Sequence, residues 1–95
     1  MITFSNKNQT CDFQYTGDGI TANGNLGFNP KNNPKNLKMA NMSFIVNAVN
    51  IGSAIIDNYD GNMHCNINGT NIENAKIISN VIEDVIAEII EEINK

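Results

Sequence analysis

Apolar and polar residues alternate along most of the chain, with the two-residue period of a β-strand whose two faces meet different environments. Ile2 and Phe4 mark the first strand, and Cys11, Phe13 and Tyr15 mark the second. The last quarter repeats its apolar residues every three or four positions, as an amphipathic helix does. The pattern predicts an α+β fold. An antiparallel β-meander of about five to seven strands (residues 2-68) precedes one long C-terminal amphipathic helix (about 71-94), in a single domain over 1-95.

The turn after the second strand has two candidate positions. Asn23-Gly24 is a frequent type I′ pair, but a turn at Asp18-Gly19 leaves the apolar residues of 20–28 on one face. The pairs that this second choice creates are Tyr15 with Ala22 and Cys11 with Leu26. We therefore predict one strand over 20–28, with a bulge or bend at Gly24.

Two further turns divide the rest of the sheet. The tandem repeat Asn-Pro-Lys-Asn at 29–36 cannot enter a sheet, so we expect an exposed loop there. A strand from about Met39 to Val49 has apolar residues on both faces, which indicates a central strand, and residues 50–52 are expected to turn the chain. Asp60-Gly61 then predicts a hairpin between 53–59 and 62–68, in which Asp57 faces His64.

The C-terminal helix has a recognisable beginning and an unusually wide apolar surface. Thr70 and Glu73 have the spacing of a capping box, with Thr70 as the N-cap. The apolar residues from Ile72 to Ile93 fill an arc of about 180°, which is wider than contact with one sheet needs. Either a strongly curved sheet covers this arc, or a second copy covers part of it. For a homodimer, the predicted interface residues are Ile82, Ile86, Ile90 and Ile93.

Composition excludes several classes of function. The 95 residues include no arginine and six lysines, against ten acids, so we expect no direct nucleic-acid binding. No apolar run is long enough to cross a membrane, and the first residues lack a signal-peptide pattern, so a cytoplasmic protein is expected. Asparagine occurs 19 times, which we attribute to a codon bias rather than to function.

The residues that could carry chemistry are few. Cys11 and Cys65 share parity with core positions, so both are expected to be reduced, buried thiols. Asp57 beside His64 could act as a general-base pair, but Cys65 points to the other face and no nucleophile accompanies it. We interpret the pair as structural, and we expect no enzyme activity, no metal site and no cofactor.

The formal charge of −4 lies entirely on the helix. Residues 72–95 contain six acids and two lysines, whereas residues 1–71 contain four of each. Asp84, Glu88, Glu91 and Glu92 form an acidic stripe in the C-terminal part of the helix, where acids oppose the helix dipole. The stripe is a candidate site for a protein with a basic surface, or a solvated face, or a partner for Lys31, Lys35 and Lys38 of the loop.

Two classes of function remain open. The leading hypothesis is a small non-enzymatic protein-interaction module, such as an accessory or inhibitor protein of a bacterium or its phage, acting as a homodimer. The alternative is a module that binds a small ligand in a pocket between the curved sheet and the helix. A pocket lined by residues 42–49 and the helix would favour the alternative.

Overall fold

The computed structural model describes residues 1–5, 9–58 and 61–95 and confirms the predicted α+β architecture. Six antiparallel strands form one sheet in chain order, and one helix follows them. The strands are β1 (Ile2–Phe4), β2 (Thr10–Gly17), β3 (Ile20–Phe28), β4 (Leu37–Val46), β5 (Val49–Asn58) and β6 (Met63–Gly69), and the helix is α1 (Ile72–Ile93). Short connections between consecutive strands make neighbours in sequence neighbours in space.

The β2–β3 hairpin has the predicted register. Tyr15 pairs with Ala22 and Cys11 with Leu26, and both Asp18 and Gly19 have positive φ, as a type I′ turn requires. One strand covers residues 20–28 as predicted, but it has no bulge at Gly24, because the pairing passes through Gly24 without a shift and the irregularity lies between Gly27 and Phe28. A side chain at Gly24 would instead overlap the Asn41 carbonyl of β4, so glycine is required by close backbone approach.

The turn between β4 and β5 lies earlier than predicted. Asn47 and Ala48 both have positive φ and connect the strands as a two-residue turn, whereas residues 50–52 belong to β5. The pattern at 50–52 reflects a bulge: Phe44 pairs with Gly52 and Ile45 with Asn50. β4 is nevertheless central, as predicted, since β3 and β5 flank it.

The β5–β6 hairpin also has the predicted register, with Asp57 opposite His64 and Ile56 opposite Cys65. The predicted pairing of the residues next to the turn falls partly on positions 59 and 60, outside the described residues. Because β6 pairs with β5 alone among the described strands, it forms one edge of the sheet, and β1 forms the other.

The N-cap of α1 is Asn71. The capping-box spacing predicted Thr70 instead, so that prediction is wrong. The Asn71 side chain accepts a hydrogen bond from the Asn74 backbone N–H at 2.8 Å. Thr70 is held elsewhere, since both its N–H and its hydroxyl donate to the Ile51 carbonyl oxygen. The competing bond to β5 explains why the helix begins one residue later.

The core lies between the sheet and α1, which contacts both edge strands as well as β4 and β5. The helix contributes Ile78, Val85, Ile89 and Ile93, none of which is exposed to solvent. The buried residues from the strands and their ends are Cys11, Phe13, Tyr15, Ala22, Leu26, Phe28, Leu37, Ala40, Met42, Phe44, Ile51, Ala54 and Ile56. Burial of these apolar groups is the main driving force for the fold.

Cys11 is buried, but the prediction that Cys65 is also buried is wrong. Cys65 lies opposite the buried Ile56, so its parity with the core is as expected. Its exposure follows from its position on an edge strand, where the neighbouring Met63 is also exposed. Alternation identifies the face of a strand but not whether another element covers that face.

Candidate partner-binding surface

The acidic stripe lies on the flank of α1 that faces β1. Asp84 and Glu91 are exposed, and Glu88 and Glu92 are half-buried. Glu88 identifies the flank, because one of its carboxylate oxygens lies 3.0 Å from the Met1 ammonium at the start of β1. The structure therefore brings the four predicted residues together at one side of the molecule.

Two of the four carboxylates have a cationic neighbour. Glu88 pairs with Met1, and Glu92 pairs with Lys95 at 3.2 Å. Among the described residues, Asp84 and Glu91 form no ion pair. The rival explanation, pairing with the lysines of the Asn-Pro-Lys-Asn loop, finds no support in the described part of the chain, where no ion pair joins the stripe to Lys31, Lys35 or Lys38.

A shallow groove of about 250 Å³ runs between the start of β1 and the end of the helix. Its lining residues are Met1, Ile2, Glu88, Glu91, Glu92 and Lys95. Three carboxylates thus border a space that is suited in size to one long side chain. A lysine or arginine entering it would keep its aliphatic stem against Ile2 and its charge near the acids.

Asp18, in the β2–β3 turn, extends this negative surface beyond the helix. Burial raises the pKa of the Tyr15 hydroxyl above its usual value of 10.0, and the charges of Glu88, Asp84 and Asp18 raise it further, in that order. The influence of all three charges on one phenol places Glu88, Asp84 and Asp18 in the neighbourhood of Tyr15. Sequence analysis missed Asp18, because no periodicity relates a turn residue to a helix some 65 positions later.

The predicted dimer residues divide into two groups. Ile82 and Ile93 are only 8% and 0% exposed, so the sheet of the same chain already covers them. Ile86 and Ile90 are half-buried and pack at the margin of the core. The wide apolar arc is therefore largely covered by the sheet of the same chain, and the homodimer itself stays a prediction.

Asp57 and His64 face each other on the side of the sheet away from the helix. Cys65 belongs to the opposite face, as predicted. In the ranges 1–5, 9–58 and 61–95, no three His, Cys, Asp or Glu residues are grouped closely enough to hold a metal ion.

The interior between sheet and helix is filled by side chains, including Phe44, Ile56 and Val85, none of which is exposed. An open groove of about 490 Å³ lies on the sheet beside Asp12, Asn25 and Met39. It does not involve the helix, in contrast to the ligand pocket considered from the sequence.

Within the described ranges, no helix is long and apolar enough to cross a membrane. Comparison with known proteins adds no relative: no family model, curated protein or solved structure matches this chain.

Proposed function

We propose that this protein is a small non-enzymatic interaction module that binds a basic surface of a partner protein through the acidic stripe of α1. The observation that supports the proposal is the exposed, unpaired state of Asp84 and Glu91 beside the groove at Glu88. Acids in the C-terminal part of a helix oppose its dipole and repel one another, and Asp84 and Glu91 have no ion pair among the described residues to offset these costs. A basic partner would offset both costs.

Electrostatics favours a protein partner of high positive charge. The net charge of −4 on the helix, with Asp18 adjoining it, gives one side of the molecule a negative potential. Such a potential accelerates encounter with a basic surface and selects against acidic competitors. Covering a basic surface of another protein is also how an accessory or inhibitor protein of this size would act.

The decisive experiment compares two variants with equal charge change. Asp84→Asn, Glu88→Gln and Glu91→Gln together remove three charges from the stripe. Asp12→Asn, Glu73→Gln and Glu83→Gln remove three exposed charges elsewhere. Proteins from the native host are captured on the wild type and on both variants, and quantified at low and high salt.

We expect the stripe variant to lose a basic protein that the wild type and the control variant retain. Binding should weaken as salt rises, because exposed charges are screened beyond about 8–10 Å at physiological ionic strength. Equal retention by all three proteins would contradict the proposal. So would equal loss by both variants, because the effect would then follow net charge and not the stripe.

A further inference from the structure

We infer that the free edge of β6 is an interface between two copies of this chain, which pair their β6 strands antiparallel across a two-fold axis at Asn66. The partner is thus a second copy, and the contact is made by strand addition rather than by the apolar face of the helix alone. The inference refines the homodimer of the leading hypothesis and does not depend on the acidic stripe.

The backbone of β6 offers a complete set of hydrogen-bonding groups at this edge. The Thr70 N–H donates to the Ile51 carbonyl at 3.0 Å, in register with the β5–β6 ladder. Bonded pairs alternate along an antiparallel ladder, so Asn66 and Asn68 exchange bonds with β5. The N–H and C=O groups of Cys65 and Ile67 therefore point away from β5, toward the edge.

The side chains of β6 lack the features that block edges. The edge strands of native sheets are usually protected from further pairing by lysine, proline or a bulge. The sequence Met-His-Cys-Asn-Ile-Asn-Gly contains no lysine, proline or acid, and its pairing with β5 shows no register shift. A seven-residue edge strand of this kind is open to pairing, whereas β1 at the other edge has three residues.

Pairing centred on Asn66 places the apolar face of one strand beside the apolar face of the other, and the polar face beside the polar face. Cys65 of one copy would lie opposite Ile67 of the second, on the helix side of the joined sheet. Asn66 would lie opposite Asn66, where two amides can donate to and accept from each other. The arrangement uses the whole strand, and a shift by one residue would place apolar side chains on the polar face.

Charge selects a second copy at this edge over other arrangements of two copies. A contact through the acidic flank would bring two negative surfaces together. Contact through β6 places both stripes at the far sides of the dimer, where they stay free for a basic partner. The dimer would then present two equivalent acidic sites.

Disulfide trapping tests the register directly. In a background of Cys65→Ser, we introduce Asn66→Cys, which would face itself across the two-fold axis. The Cα atoms of a pair without backbone bonds lie about 4.5 Å apart, within the range that a disulfide spans. The matched control is Asn41→Cys in the same background, an exposed asparagine in the same cross-strand row but on central β4.

We expect Asn66→Cys to form a covalent dimer under mild oxidation and Asn41→Cys to stay monomeric. Sedimentation of the wild type at tens of micromolar should give twice the chain mass of 10.4 kDa. Cys65→Pro removes an edge N–H, which β5 does not use, and should give the monomer, while Cys65→Ser should not.

Three results would overturn the inference: a 10.4 kDa species alone for the wild type, equal trapping of both cysteine variants, or a dimer that survives a folded Cys65→Pro. If Cys65→Pro fails to fold, by circular dichroism, the trapping comparison still decides. The dimer should persist in the stripe variant Asp84→Asn, Glu88→Gln and Glu91→Gln. A monomeric wild type would therefore contradict the dimer alone, whereas a stripe variant that retains the basic partner would contradict the proposed function alone.

Discussion

The side chain of Asn94 makes two hydrogen bonds to the backbone of Lys35, 59 residues earlier in the chain. Its Nδ2 donates to the Lys35 carbonyl oxygen, and its Oδ1 accepts from the Lys35 N–H, both at 2.8 Å. The same Nδ2 also donates to the Ile90 carbonyl oxygen. One asparagine thus satisfies the end of α1 and fixes the Asn-Pro-Lys-Asn loop to it.

Asn94→Ala should lower the free energy of unfolding by about 1–2 kcal/mol, because the side-chain bonds to Lys35 and Ile90 are lost. Urea unfolding followed by circular dichroism measures the change. Asn80→Ala is the control, since Asn80 is exposed in the same helix and has no described side-chain bond. We expect it to be neutral or slightly stabilising, because alanine is the better helix former.

The outcome that would contradict this interpretation is an Asn94→Ala variant as stable as Asn80→Ala. Such a result would mean that water replaces the side-chain hydrogen bonds of Asn94 at no cost in the free energy of unfolding. Asn94→Asp offers a second comparison, because it keeps the acceptor for the Lys35 N–H but loses both donated bonds. It also places a negative charge at the helix C-terminus, so it should be at least as destabilising as alanine.

Local patterns predicted the registers of the β2–β3 and β5–β6 hairpins because an Asp-Gly pair marks each turn. Asp18-Gly19 and Asp60-Gly61 each lie between strands of constant parity, and parity determines the register once the turn length is known. The turn at Asn47-Ala48 was missed for a physical reason. Alanine rarely adopts positive φ, and here the pairing on both sides imposes it.

Sequence patterns also do not reveal contacts between residues that are distant in sequence, as the N-cap of α1 and the acidic stripe show. Thr70 has the right spacing for a cap, but a long-range bond to Ile51 competes for it, and sequence does not reveal such a bond. The acidic stripe was predictable because its members share one helix. Its neighbours Asp18 and Met1 come from other elements, and only the packing of α1 against the sheet brings them to the stripe.

Gly24→Ala should destabilise the fold by about 3 kcal/mol or more, because the added methyl group would overlap the backbone of β4. Its nearest obstacles are the Asn41 carbonyl oxygen and the Met42 Cα, which cannot move without breaking the ladder. Thermal unfolding of the purified variant measures the loss.

Gly27→Ala is the control for this strand. Its Cβ would approach the Met39 Sδ at 3.4 Å, an ordinary contact with a flexible side chain. We expect its stability to stay within about 1 kcal/mol of the wild type. Similar effects of the two substitutions would show that glycine at position 24 serves no steric purpose.

Thiol labelling should distinguish the two cysteines. Cys65 is exposed and should react quickly with a thiol reagent in the native state, whereas Cys11, 5% exposed, should react only on unfolding. Partial burial raises the pKa of the Cys65 thiol, so the fast phase should accelerate as the pH rises. In Cys65→Ser the fast phase should vanish; its persistence would mean that Cys11 is accessible.

The raised pKa of Tyr15 predicts that the protein loses stability at alkaline pH. In the unfolded chain its phenol ionises near the ordinary value of 10.0, whereas in the folded chain burial, Glu88, Asp84 and Asp18 raise its pKa. Above about pH 10 the unfolded state therefore binds fewer protons than the folded state. The contribution of Tyr15 to the stability of the folded state is therefore complete below about pH 10 and decreases as the pH rises above it.

Urea unfolding between about pH 9 and pH 11 tests this, with Tyr15→Phe as the reference because it cannot ionise. The wild type should lose stability more steeply than Tyr15→Phe, and the difference between the two isolates the contribution of the Tyr15 phenol. Asp84→Asn with Glu88→Gln should give an intermediate slope, because burial still raises the pKa when these two charges are gone. Identical slopes for the wild type and Tyr15→Phe would show that the phenol ionises alike in both states. A variant with Asp84→Asn and Glu88→Gln that keeps the wild-type slope would show that these carboxylates lie too far from Tyr15 to form the single negative surface inferred for them.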